Sequence, residues 1–107
     1  YEGYIYGVRT DRQLVCLSPE GDAVWTSTSA NKFGRNGGPY AIVNGLLYVM
    51  DDHGAMTLVE ASPTGYRPLA HAKVLEGPDS WGPIAIAANR MIVRDIHKMI
   101  CLDISEQ

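Results

Sequence analysis

The 107-residue chain is 46% hydrophobic and 20% charged, a balance that supports one small packed domain and excludes a disordered polyelectrolyte. A net charge of −3 removes the broad basic surface that nucleic acid or anionic lipid would need. No apolar run approaches the ~20 residues of a membrane helix, and no signal-peptide pattern opens the chain.

Taken in order, the chain reads as short strands between turn signals. Residues 4–8 are aromatic and β-branched, residues 10–12 form a polar turn, and residues 13–18 form a second strand. Pro19-Glu20-Gly21-Asp22 is a turn, and residues 23–28 are a third strand carrying Trp25. Residues 29–38 form a polar, glycine-rich loop holding Arg35. Residues 40–43 and 46–50 are strands joined by Asn44-Gly45, a dipeptide that tolerates positive φ at both positions and marks a hairpin. Asp51-Asp52-His53-Gly54 turns the chain into a strand over 55–60, and Ser62-Pro63-Thr64-Gly65 turns it into one over 67–75. The alanines and Lys73 of that last segment have helical propensity, but its place in the pattern predicts a strand. A second long loop over 76–82 holds Trp81, and strands follow over 84–87, 91–94 and 99–103.

These strands are written in a repeating unit. Residues 38–53 return 44 residues later as residues 82–97, with seven of 16 positions identical and no gap. Met56-Thr57-Leu58-Val59-Glu60 returns as Met99-Ile100-Cys101-Leu102-Asp103. The unit also stands upstream: Tyr4-Ile5-Tyr6-Gly7-Val8 lies 42 residues before residues 46–50. Glu2-Gly3 falls on Asn44-Gly45, so the chain is expected to begin inside a repeat. A fixed period of 42 to 44 residues with four strands per unit predicts antiparallel four-stranded blades of a β-propeller, an all-β fold. The expected blades span residues 1–33 (strands two to four), 34–77 (all four) and 78–107 (strands one to three), about two and a half blades of a larger ring. Tyr6, Gly45, Tyr48, Trp25, Cys16 and Cys101 are the structural residues of the repeat. Cys16 and Cys101 fall at equivalent strand positions two repeats apart, beyond the ~7 Å Cα reach of a disulfide, and read as two small buried hydrophobes.

Leu-Tyr-Val, a polar turn, Leu-x-Cys-Leu-Asp or its variant, then Pro-x-Gly and Val-Trp together resemble the PQQ-like (quinoprotein) propeller repeat. That family includes quinoprotein alcohol dehydrogenases and BamB-like outer-membrane assembly propellers. Residues 16–25, Cys-Leu-Ser-Pro-Glu-Gly-Asp-Ala-Val-Trp, resemble the family's tryptophan-docking segment, Ala-x-Asp-x-x-Thr-Gly-Lys-x-x-Trp. This copy is one residue short and has Ser18 where Asp is usual. The middle unit keeps Glu60 and Gly65, with Leu69 near the tryptophan position. The resemblance implies a ring of about eight blades, of which this chain would be a C-terminal part, and a periplasmic or extracellular location.

In an up-and-down blade the turns between second and third strands share a face with the loops between blades, where binding residues tend to collect. On that face fall Arg9, Asp11, Asp51, His53, Asp95, His97, Arg35 and Trp81. The two Asp-x-His pairs have the residue types of acid/base groups or metal ligands. Their recurrence at equivalent positions favours turn capping by the carboxylates instead. His71, alone in an alternating strand, reads as structural. No catalytic residue and no metal site is expected. PQQ and calcium enter only if the full-length protein is a dehydrogenase, since this chain lacks the adjacent cysteine pair of many such enzymes and a converging carboxylate set for Ca²⁺. The expected function is a non-catalytic propeller scaffold or binding module for a protein, glycan or small ligand. The alternative is a fragment of a PQQ-dependent alcohol or sugar dehydrogenase. Expected partners are the remaining blades of the ring, or copies of the chain joined through its open strand edges.

Overall fold

Each strand of the protein pairs with its neighbours in sequence, and the pairing breaks twice, giving three antiparallel meanders. The computed structural model describes residues 1–27, 33, 38–76, 79–80 and 82–105, and none of these is helical. The first sheet contains β1 (Ile5–Val8), β2 (Leu14–Leu17) and β3 (Ala23–Thr26). The second contains β4 (Tyr40–Val43), β5 (Leu46–Met50), β6 (Ala55–Glu60) and β7 (Pro68–Lys73). The third contains β8 (Ala85–Ala87), β9 (Arg90–Arg94) and β10 (Met99–Asp103). Residues 68–73 are a strand despite their alanines, because five paired positions along β6 outweigh a weak local preference.

The hairpins are set by backbone sign. Asn44 (φ 52°) and Gly45 (φ 77°) join β4 to β5 with Val43 opposite Leu46, a two-residue loop whose twist matches its strands. Ala88 (φ 51°) and Asn89 (φ 61°) repeat it between β8 and β9, and Glu2 (φ 49°) with Gly3 (φ 87°) repeats it ahead of β1. A further positive-φ position recurs at Arg12, between β1 and β2, and at Gly54, between β5 and β6. Its carbonyl anchors the following loop both times: Phe33 N–H donates to Arg12 O at 2.8 Å and Leu75 N–H to Gly54 O at 3.2 Å. Phe33 and Leu75 are both buried.

The middle sheet is apolar on both faces. Along β5, Leu47 and Val49 belong to a core shared with Tyr6, Leu14 and Cys16 of the first sheet. Tyr48 and Met50 belong to a second core with Met91 and Val93 of the third. Strand side chains alternate, so a continuous apolar run is what a sheet packed on both faces requires. Each fully buried side chain of this kind contributes roughly 1.5–3 kcal/mol. Gly38 closes the approach of the first interconnecting loop: a Cβ there would overlap the Met50 carbonyl oxygen.

The register also fixes which face each repeat position uses. Tyr6 opposite Cys16, Tyr48 opposite Leu58 and Ile92 opposite Cys101 are equivalent pairs. The first pair faces the second sheet and the second pair faces the third. Ile92 and Cys101 therefore point to a face that no described residue of the chain covers, and both are exposed. This corrects the expectation that Cys101 is buried like Cys16: the position is equivalent, but no described residue packs on that face of the third sheet. Both thiols are free, as expected from their separation.

The register also resolves the place of Leu69, expected near the tryptophan position. Both β2–β3 and β6–β7 carry a bulge at the same place, which puts Trp25 opposite Cys16 and Ala70 opposite Leu58. The tryptophan position of the middle sheet is therefore Ala70. Leu69 matches the bulged Val24, and both are exposed.

Candidate functional site

The β1–β2, β5–β6 and β9–β10 turns hold Arg9, Asp11, Asp51, His53, Asp95 and His97, and each turn is closed by a carboxylate. Asp51 Oδ1 accepts the His53 N–H at 2.8 Å and the Ala55 N–H at 2.9 Å. Asp95 Oδ1 accepts the His97 N–H at 2.7 Å and the Lys98 N–H at 2.8 Å. In the first sheet the same task falls to Asp11, whose Oδ1 accepts the Gln13 N–H at 3.1 Å while Oδ2 pairs with Arg9 Nη2 at 2.7 Å. That ion pair is exposed on both sides and contributes little to stability. A carboxylate bound to two backbone N–H groups is held in place to shape the turn.

The histidines of the two Asp-x-His pairs point outward. His53 is 66% exposed in its side chain and reaches Asp52, not Asp51, with Nε2 3.7 Å from Oδ1. His97 is exposed as well. Among the described residues, no group of three or more His, Cys, Asp or Glu side chains converges on a point where a metal ion could sit. Arg35 and Trp81 lie outside the described residues. His71 holds its strand to β6 through Thr57, with Nδ1 and Oγ1 3.0 Å apart.

The contact between first and second sheets is built on Trp25. Its ring is 6.1 Å from the Tyr6 ring and 5.7 Å from the Tyr66 ring, centroid to centroid. Its indole N–H donates to the Ser62 carbonyl at 2.7 Å, so a side chain of one sheet is tied to the backbone of the next. Beneath it the Tyr6 hydroxyl lies beside Cys16 Sγ, a weak acceptor, without a hydrogen bond of good geometry. Burial, and then the neighbouring Cys16, push the Tyr6 phenol well above its ordinary range; burial likewise pushes the Cys16 thiol up.

The contact between second and third sheets is not filled in the same way. A cleft of about 380 Å³ opens beside Ala70, lined by Tyr48, Leu58, Val74, Leu102 and Ile104. Tyr48 and Ile104 also border a second opening of about 620 Å³ at the Asn44 and Asn89 hairpins. Sequence reading missed this cleft because it depends on register across the bulge. It also missed Ser80, whose fully buried Oγ has no hydrogen-bond partner, and Asp52, buried beside His53. The alternation of Asp52 between two turn residues gave no signal of burial.

No protein-family model matches the chain, and no curated protein matches it. Among the described residues no helix is long and apolar enough to cross a membrane.

Proposed function

We propose that the three sheets are consecutive blades of a β-propeller of PQQ-like repeat type, serving as a non-catalytic scaffold or binding module. The observation that carries this reading is the conserved facing of the repeat positions. Tyr6 and Cys16 face the second sheet, Tyr48 and Leu58 face the third, and Ile92 and Cys101 present the same face outward. A stack in which each sheet uses one face for the sheet before it and the other for the sheet after it extends by rotation into a ring. The Trp25–Ser62 hydrogen bond between sheets supports the quinoprotein-type variety of that ring. The capping of Asp51 and Asp95 supports a structural use of the turn residues over a catalytic one.

Within such a ring the open edges of β1 and β10 and the outer face of the third sheet are covered by further blades or by copies of the chain. Sedimentation of the 107-residue chain over a range of concentrations tests this. The expected result is concentration-dependent assembly with stability rising alongside it. A cooperative monomer unchanged at micromolar concentration overturns it. Dye-linked alcohol oxidation with added PQQ and Ca²⁺ tests the non-catalytic reading, with no turnover expected; quinone-dependent dye reduction overturns that part.

A further inference from the structure

We draw no further inference here: the strongest candidate, the outward face of the third sheet around Ile92, Met99 and Cys101 with Arg90 and Arg94 at its ends, is open among the described residues and nothing in the structure shows what covers it.

Discussion

Trp25 gives the sharpest quantitative test of the packing between sheets. Its half-buried indole contributes in two separable ways: ring area against Tyr6 and Tyr66, and one hydrogen bond to Ser62 O at 2.7 Å. Trp25→Phe keeps an aromatic ring but removes the donor and leaves the Ser62 carbonyl without it. A lost neutral hydrogen bond costs about 1 kcal/mol, and the smaller ring adds to that, giving roughly 1–2 kcal/mol. Trp25→Ala removes the ring as well. Buried Trp→Ala changes cost about 3–5 kcal/mol, and partial exposure places this one near 3. Urea unfolding followed by far-UV circular dichroism, at one fixed protein concentration, reads the difference. With a slope of about 1–1.5 kcal/mol/M, the midpoint should fall by roughly 1 M for Phe and 2–3 M for Ala. Val24→Ala, at the exposed bulge beside it, should stay within ~0.5 kcal/mol. A Trp25→Ala midpoint within 0.3 M of the parent, on the order of the cost of an exposed surface change, would refute the claim that this ring holds the two sheets together.

Two further outcomes follow from backbone contact and from the uncovered face. Gly38→Ala places a methyl on the Met50 carbonyl oxygen, a backbone atom that cannot swing aside, and should cost roughly 2–3 kcal/mol in the same urea assay, whereas Gly21→Asn, at a positive-φ turn with nothing near it, should cost under ~1. Cys101 should react with a thiol-specific reagent in the folded protein at pH 8 while Cys16 reacts only on unfolding, because Cys101 is exposed and Cys16 is buried with its thiol pushed up by that burial; equal rates for the two would contradict this arrangement of faces.

The sequence carried the order of the elements well because its signals were local or periodic. Asn44-Gly45 names its own hairpin, and the apolar run from Leu46 to Met50 already demands burial on both sides. The copy of residues 38–53 at 82–97 then transfers that reading to strands with weaker signals, such as Ala85–Ala87. What failed depended on relations between elements. Leu69 does lie next to the tryptophan position, but Ala70 could not be singled out, because the bulge between Leu58 and Val59 skips a residue that counting cannot see. Cys101 was expected inside because its equivalent Cys16 is inside, but burial belongs to the covering sheet and not to the residue. The cleft beside Ala70 was invisible because it too depends on register across that bulge. The carboxylates of Asp51 and Asp95 cap their own turns, as their recurrence at equivalent positions had favoured over a catalytic use.

The two hairpins at Asn44-Gly45 and Ala88-Asn89, with the turn at Glu2-Gly3, allow a last prediction that separates local backbone strain from packing. All three use two consecutive residues at positive φ, but with different side chains: Glu2-Gly3, Asn44-Gly45 and Ala88-Asn89. Ala88 at φ 51° has neither the freedom of glycine nor the local hydrogen bonding that lets asparagine visit this region. The left-handed conformation costs an ordinary residue roughly 1–2 kcal/mol, and asparagine recovers about half of that. Ala88→Asn should therefore stabilise the protein by ~0.5–1 kcal/mol and raise its melting temperature by about 2–6 °C. Ala88→Gly should gain less, because the relief is offset by the extra freedom of glycine in the unfolded chain. Asn44→Ala is the mirror experiment: the same φ, the same place in the unit, and the opposite expected sign. Ala88 is exposed, so the change disturbs no core contact. If Ala88→Asn proved neutral while Asn44→Ala was costly, the strain would be carried by something other than the shared φ. The two hairpins would then not be energetically equivalent, although their register is the same.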